Sequence, residues 1–507
     1  MNNELFPPDD TTPRLSIEPT DQPQQASTQP NEAFGLDDRK RIGGYPWLAW
    51  LVILALTLFV MSGNFFQPAP TSDTEITKGE FLGAVFIGKM AVGLTQLSPS
   101  LAADGQQSEM IRELNQGSIE QRLCYVILSN ELQDPTTALQ NLQSLKEAAK
   151  AANVKLSPDQ IRSEHIVRTV IEGLKAKQTV KLSESDRAFI EEQLPWCGKL
   201  LVSSTIPDSP MREEILSRAK TSVLFLSGLV LLGIGFFIVG IVLFFIFISK
   251  IFLGQLRYRV VDDSKYGSVY IETYAIWFLL FVSLSIAAAF SGVEGMGVAV
   301  TSLMMLLPLS ALFWPILRGV PAGQMLDDLG LRLRNPLVEM LAGFVAYLAL
   351  LPVMLAGFIC TLILIVIMGV IQSSPEVSEF APNGISHPIV NGAFGPDVLT
   401  TILTLFFIAS VLAPLTEEIM FRGVLYRSLR DQTRRSARVM SVTLAAVISS
   451  LIFAAIHPQG IVGIPVLTVL AFGFCMVRQW RGSLVAPITM HAIHNGLTLC
   501  ILVPVIL

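Results

Sequence analysis

Ionisable and polar side chains interrupt the apolar C-terminal part of the chain in three short patterns. They are Glu-Glu-x-x-x-Arg at 417–422, Phe-x-x-x-His at 453–457 and His-x-x-x-Asn at 491–495. A charged group at bilayer depth costs roughly 2.5–3.5 kcal/mol even on the mild insertion scale, so such side chains are candidates for function. A carboxylate base, imidazoles and an amide donor are groups that can polarise a water molecule and stabilise developing negative charge.

The first pattern separates two adjacent carboxylates. Glu418 and Arg422 are four residues apart, so on a helix they share a face and can pair. Glu417 points about 100° away from that face and lacks the partner. This makes Glu417 the carboxylate suited to act as a general base. The alternative is that all three groups lie at the membrane interface and extend their charges to water.

The other two patterns place histidines on apolar helices. Phe453 and His457 share a helix face, so the imidazole can rest on an aromatic ring, and Pro458 and Gly460 end that helix. A lone histidine at a helix end is also commonly a cap or a surface residue. The pattern at 491–495 forms a polar stripe that must face the interior of a bundle.

Within that stripe His491 and Asn495 share a face, and His494 lies about 60° to the other side. The alternative for this pair is interhelical hydrogen bonding alone. At about 1.5 Å per residue, Glu417 should be level with the pair. The same count puts His457 deeper in the membrane unless its helix tilts or starts inside the cytoplasm.

The composition indicates what kind of protein holds these groups. Of 507 residues, 51% are apolar and 15% are charged, with a mean hydropathy of +0.55. Soluble domains carry about a quarter charged residues, so the chain is predicted to be an all-α polytopic membrane bundle. A net charge of −5 excludes the basic footprint of a nucleic-acid binder. The five cysteines form no C-x-x-C pair, which excludes a zinc ribbon and a disulfide-dense scaffold.

Runs of about 20 apolar residues predict nine spans. They are 46–66, 221–249, 270–290, 296–317, 337–371, 399–420, 439–457, 462–478 and 484–507. Lys and Arg cluster in alternate connecting segments, whereas 291–295 and 372–396 contain neither. By the positive-inside rule the N-terminus is cytoplasmic and the C-terminus lies on the other side.

The remaining segments are polar. Residues 1–45 are predicted to form a disordered cytoplasmic tail, because they cannot bury enough apolar surface. Residues 67–220 are predicted to be a small helical extracytoplasmic domain, with helices capped by Asp134 and Ser157 before prolines. In an oxidising compartment Cys124 and Cys197 of this domain could pair, and two unrelated buried thiols are the alternative. Residues 221–319 supply additional spans.

The three motifs, in this order on consecutive apolar helices, resemble the CPBP family of intramembrane proteases (CAAX proteases and bacteriocin-processing enzymes, also called Abi). The resemblance covers about 320–507 and includes the lead-in Asp-Leu-Gly-Leu-Arg at 328–332. It implies an intramembrane endopeptidase related to the type II CAAX prenyl endopeptidases. The roles it implies include water activation by Glu417 with His457 and oxyanion stabilisation by His491 and Asn495. It also implies that Glu418, Arg422 and Phe453 are structural or positioning residues.

The resemblance also bears on the metal and on the partners that are expected. Glu417, His457 and His491 are suitable zinc ligands, but no H-E-x-x-H pair is present, and kinship with prenyl endopeptidases favours a metal-independent mechanism. Expected partners are a membrane protein or lipidated peptide substrate, the lipid bilayer, and a protein that binds the helical domain. The expected location is a bacterial plasma membrane or a thylakoid-type membrane.

Two other functions compete with proteolysis. A catalytically silent scaffold or chaperone of the same family is the first alternative, with the helical domain recruiting a partner. A transporter whose polar stripes line an ion path is weaker, because the sequence shows no internal repeat.

Overall fold

The computed structural model describes residues 44–65, 78–98, 106–255, 259–260, 266–290, 298–332, 335–371 and 398–506. Within these ranges all regular secondary structure is helical, which confirms the predicted all-α class. Residues 1–43 of the tail predicted over 1–45 lie outside the described residues. The loops 291–295 and 372–396 also lie outside them.

The helices of the helical domain and its flanks come first along the chain. They are α1 Pro46–Phe65, α2 Lys78–Leu97, α3 Gln106–Met110, α4 Ile119–Leu132, α5 Pro135–Ala151, α6 Pro158–Lys175, α7 Glu184–Gln193, α8 Pro195–Ser204 and α9 Pro210–Phe252. A 3₁₀ turn, Arg112–Gln116, follows α3.

The membrane helices that follow are α10 Gly267–Phe290, α11 Val298–Leu306, α12 Phe313–Leu317, α13 Ala322–Leu329, α14 Pro336–Ile371, α15, α16 Arg438–Ala455, α17 Gly460–Arg481 and α18 Val485–Ile506. Here α15 denotes the continuous helix that begins with Val398–Phe407 and ends with Tyr426–Gln432. A 3₁₀ segment, Leu307–Leu312, joins α11 to α12.

Eight helical segments among the described residues are long and apolar enough to cross a membrane, and they coincide with the first eight predicted spans. The ninth prediction, 484–507, corresponds to α18, whose side chains are described only as far as residue 501. The chain is therefore a multi-pass membrane protein, whereas its orientation stays a prediction.

Helices α2 to α8 form the helical domain around one apolar core. Asp134 accepts from the backbone N–H groups of Thr136 and Thr137, and Ser157 forms a reciprocal capping box with Gln160, so both predicted caps are confirmed. Cys124 and Cys197 are both buried in this core as free thiols.

Helix α9 joins the domain to the membrane without a break. Its first turns contribute Ile215 and Ala219 to the core of the helical domain, and the same helix continues as a span to Phe252. The boundary predicted at residue 220 therefore falls inside a 43-residue helix. Helix α9 also packs against α2 and α14, which connects the domain to the bundle through rigid elements.

The other spans pack around the helices that carry the three motifs. Helix α1 packs on α10, α10 packs on α15, and α14 packs on α17 and α18. Aromatic rings link these layers, with Phe421 of α15 lying 5.5 Å from Tyr274 of α10 and 5.0 Å from Phe453 of α16 between ring centroids.

The predicted lead-in at 328–332 lies at a junction between helices. The buried carboxylate of Asp328, at the end of α13, accepts hydrogen bonds from the Tyr270 hydroxyl at 2.8 Å and from Arg427 at 2.9 Å. Gly330 adopts φ +73°, and the Arg478 guanidinium lies where a Cβ would project. Only glycine meets both conditions there.

Candidate active site

Helix α15 presents Glu417 and Glu418 from an irregular stretch. The short α-helical segment Ala413–Glu418 lies between two π-helical turns, Ile408–Leu412 and Ile419–Leu425. Each π turn widens the helix and leaves carbonyls open to other partners, and such turns are frequent at functional sites. The Thr416 hydroxyl donates to the carbonyl of Leu412 at 3.0 Å, and this hydrogen bond joins the short α-helical segment to the first π-helical turn.

Glu418 and Arg422 form the pair that their spacing predicts. Arg422 Nη1 donates to Glu418 Oε1 at 2.9 Å, and both side chains are 0% exposed. Arg422 Nη2 also donates to the carbonyl of Ala471, and its guanidinium lies 4.6 Å from the centroid of the Phe453 ring. The alternative that this pair extends to water at the interface is therefore wrong for Glu418 and Arg422.

His491 of α18 is oriented by the same carboxylate. Its Nδ1 lies 2.9 Å from Glu418 Oε1, and its ring stacks on Phe474 with centroids 5.1 Å apart. A carboxylate that neutralises Arg422 is an acceptor, so Nδ1 of His491 carries the hydrogen. Nε2 then faces the opposite way, toward Glu417, and it can donate only when the ring is the imidazolium.

His457 lies beyond the end of α16, and its ring turns back toward the helix. Nδ1 lies 2.5 Å from the carbonyl oxygen of Phe453, and the two rings are 4.2 Å apart, as their spacing predicts. Because a carbonyl only accepts, Nδ1 carries the hydrogen and Nε2 of neutral His457 is an acceptor. This backward turn brings the ring up to the level of Glu417, so the prediction that His457 lies deeper is wrong.

The two imidazoles converge on one carboxylate oxygen. Glu417 Oε2 lies 3.9 Å from Nε2 of His457 and 3.9 Å from Nε2 of His491. This oxygen is buried and has no hydrogen-bond partner among the described residues. A distance of 3.9 Å is too long for a hydrogen bond and short enough for one small molecule to contact two of the groups.

Asn495 and His494 have separate contacts. Asn495 Nδ2 donates to the carbonyl of Ala409 at 2.7 Å, in the first π-helical turn, which is the interhelical hydrogen bond considered as the alternative for this residue. The second hydrogen of that amide is available for another acceptor. His494 instead faces α14, with Nδ1 3.4 Å from the Tyr347 hydroxyl.

The suitability of this site for zinc can be tested on distances. Two ligands of one tetrahedral Zn²⁺, each bound at about 2.0–2.2 Å, lie roughly 3.3–3.6 Å apart. The spacings from Glu417 to both imidazoles are longer, and within the described ranges no three His, Cys, Asp or Glu side chains are grouped as metal ligands. Glu417, His457 and His491 are suitable zinc ligands by type, and their spacing exceeds this range by about 0.3 Å.

Some buried polar groups near the site were not singled out from the sequence. Glu272 of α10 accepts from the indole of Trp314 at 3.0 Å, and a carboxylate inside a predicted span was the signal that could have found it. The Tyr274 hydroxyl is buried without a hydrogen-bond partner among the described residues, and its ring packs on Phe421. No pattern of spacing marks that tyrosine.

Comparison with known proteins identifies the part of the chain that holds this site. Residues 399–497 match the family model described as "Rce1-like: Type II CAAX prenyl endopeptidase Rce1-like". All three motifs fall within the match, which confirms the predicted resemblance. The confirmed range, 399–497, is shorter than the predicted range of 320–507.

Two curated relatives match part of the chain. The "Membrane-embedded CAAX protease MroQ" of Staphylococcus aureus (strain USA300) is 33% identical over 90 residues, which are 18% of this chain and 36% of that protein. The "Uncharacterized 24.3 kDa protein" of Escherichia coli is 34% identical over 98 residues, which are 19% of this chain and 41% of that protein. The chain thus spans less than half the length of these relatives. No solved structure matches.

Proposed function

Because residues 399–497 match the Rce1-like endopeptidase family, a protease family, we propose that this protein is an intramembrane endopeptidase. Its substrates would be membrane-spanning or membrane-associated proteins or lipidated peptides. One observation carries the proposal: a buried carboxylate oxygen of Glu417 lies 3.9 Å from Nε2 of each of two imidazoles and has no other polar partner among the described residues. A silent scaffold has no need of a carboxylate oxygen that is buried without a hydrogen-bond partner, because such burial is costly.

In the proposed reaction Glu417 is the general base. A water molecule donates one hydrogen bond to Glu417 and the other to Nε2 of neutral His457, which orients its lone pair toward a peptide carbonyl. As the oxygen attacks, its proton passes to Glu417, which later delivers it to the leaving amine. The buried surroundings strengthen each of these interactions relative to water.

Negative charge develops on the carbonyl oxygen during the attack. His491 as the imidazolium donates from Nε2, and Glu418 stabilises that cation through Nδ1. Asn495 donates the amide hydrogen that Ala409 does not use. Removing a donor of this kind typically lowers kcat by about 10²–10³. The proposed mechanism is metal-independent, as the resemblance to prenyl endopeptidases implies.

The test compares cells that produce the wild-type protein, Glu417→Gln or Glu214→Gln. Glutamine at 417 keeps the size of the side chain and cannot accept the proton, and Glu214 is an exposed residue near the start of α9 that serves as the matched control. Enrichment of new protein termini from membranes should find peptides present with the wild type and Glu214→Gln and absent with Glu417→Gln. A synthetic peptide spanning such a site should then be cut by the purified protein in liposomes, with a metal chelator present.

Identical termini with the wild type and Glu417→Gln would contradict the endopeptidase proposal. Loss of peptide cleavage on adding the chelator, with recovery on adding zinc, would contradict the metal-independent mechanism alone.

A further inference from the structure

Helix α1 lies outside the region matched to known proteases and contacts both elements that carry Glu417 and His457. Trp50 Nε1 donates to Gln432 Oε1 at 2.9 Å, at the end of α15. Fourteen residues further along α1, a distance of about 21 Å, Asn64 Nδ2 donates to the backbone carbonyl of His457 at 3.0 Å. The helix therefore connects the far end of the Glu417 helix to the turn that bears the histidine.

The turn that receives Asn64 is short, and the His457 N–H donates to the carbonyl of Ala454 at 3.3 Å. His457 lies between α16, which ends at Ala455, and α17, which begins at Gly460, so no continuous helix holds its backbone. Its carbonyl also accepts from the Gly460 N–H at 3.3 Å, and Gly460 has φ +62°. The hydrogen bond from Asn64 is the shorter of the two and comes from a different helix.

Helix α1 is itself fixed to the bundle. The backbone N–H of Tyr45, just before α1, donates to the buried Glu272 carboxylate at 2.7 Å. Ala49 and Ile53 are buried in the same apolar core as Phe421 and Phe453. Asn64 is thus presented from a helix that is also held by α10 and by the end of α15.

We propose that Asn64 is a positioning residue, which holds the His457 backbone so that its imidazole faces Glu417. The inference rests on the proposed function. The imidazole is connected to this backbone through Cα, so a shift of the His457 carbonyl moves Nε2 relative to Glu417. A misplacement of about 1 Å at a catalytic group can cost about 10²-fold in rate.

The test uses three variants at residue 64 of the full chain in liposomes, with the peptide substrate found for the wild type. Asn64→Ala removes the donor, and Asn64→Asp keeps the shape but places a carboxylate against a carbonyl. Asn64→Gln retains an amide donor on a longer side chain. Ser62→Ala is the matched control, since the exposed Ser62 hydroxyl donates only within α1, to Phe59.

We expect kcat to fall about 10-fold or more in Asn64→Ala and Asn64→Asp, with KM changed less than about 2-fold. Asn64→Gln should recover part of the loss, and all four variants should unfold at the temperature of the wild type. A purely structural role would instead lower the unfolding temperature without separating kcat from KM. Unchanged kcat in Asn64→Ala and Asn64→Asp would overturn the inference.

A second measurement does not depend on proteolysis. Carbethoxylation of His457 by diethyl pyrocarbonate, followed by mass spectrometry, should be several-fold faster in Asn64→Ala than in the wild type and unchanged in Ser62→Ala. Equal rates in Asn64→Ala and the wild type would contradict the inference even if the protein had no protease activity. Absence of cleavage by the wild type, with a faster His457 reaction in Asn64→Ala, would contradict the proposed function alone.

Discussion

Glu418 Oε1 lies 2.9 Å from Nδ1 of His491, although 73 residues separate them in the chain. The same oxygen accepts from Arg422, so one carboxylate neutralises a buried guanidinium and orients an imidazole. Its neighbour Glu417 has neither contact and points Oε2 at two imidazole Nε2 atoms. Two adjacent glutamates therefore have different tasks, and substitutions should separate them.

Replacing Glu418 by glutamine should destabilise the protein, whereas Glu417→Gln should not. Glu418→Gln leaves the charge of Arg422 unpaired at a site where both side chains are 0% exposed, and breaking a buried pair in this way costs about 3–5 kcal/mol. Glu417→Gln removes no ion pair with arginine or lysine and should change the unfolding free energy by less than about 1 kcal/mol. Thermal unfolding of the purified proteins in detergent measures both effects.

The double variant Glu418→Gln/Arg422→Met is the control for this prediction. Removing both charges leaves no uncompensated ion, so the double variant should regain most of the stability that Glu418→Gln loses. Catalysis should not return, because His491 would lack its carboxylate partner. Equal unfolding temperatures for Glu417→Gln and Glu418→Gln would show that the structural division between the two residues is wrong.

The adjacent aspartates that precede Gly330 should also differ. Asp328 is buried and accepts from Tyr270, Gln324 and Arg427, so Asp328→Asn should destabilise the protein by about 3 kcal/mol. Asp327 pairs with Arg332 at a site where the side chains are 42% and 51% exposed, so Asp327→Asn should cost less than about 1 kcal/mol.

Thermal unfolding of the two single variants, prepared in parallel, measures this difference. Comparable losses at residues 327 and 328 would contradict the assignment of Asp328 as the junction between α10, α13 and α15.

The helical domain should respond to acid through Asp186. The hydrogen bond from Arg162, followed by that from Ser183, lowers the pKa of Asp186 in the folded state. A lowered folded pKa contributes stability above the unfolded value of about 3.9, and this stability is lost as the pH falls through the folded pKa. Asp186→Asn should therefore speed hydrogen exchange in α6 and α7 at pH 6, with the difference from the wild type shrinking below about pH 4.

Asp208→Asn, at another exposed acid of the domain, is the control and should leave exchange in α6 and α7 unchanged at every pH. A difference between Asp186→Asn and the wild type that is constant from pH 6 to pH 3 would show that the contribution of Asp186 is not electrostatic.

Features that depend on neighbouring residues in the chain were predictable. The spans follow from runs of apolar residues, and the caps at Asp134 and Ser157 follow from residue types within one helical turn. The contacts of Arg422 with Glu418 and of His457 with Phe453 follow from helical spacing. The family resemblance followed from the same short patterns and held over residues 399–497.

The membrane-crossing helices and the residues that could do chemistry are predictable, because hydropathy and helical periodicity are local properties. Three contacts depend instead on how the helices pack: Nδ1 of His491 with Glu418, Asn495 with the carbonyl of Ala409, and Asn64 with the carbonyl of His457. The last of these contacts joins residues 393 positions apart. In a bundle whose helix faces are nearly all apolar, the pattern of one helix does not specify its neighbour, and only the packing of all of them does.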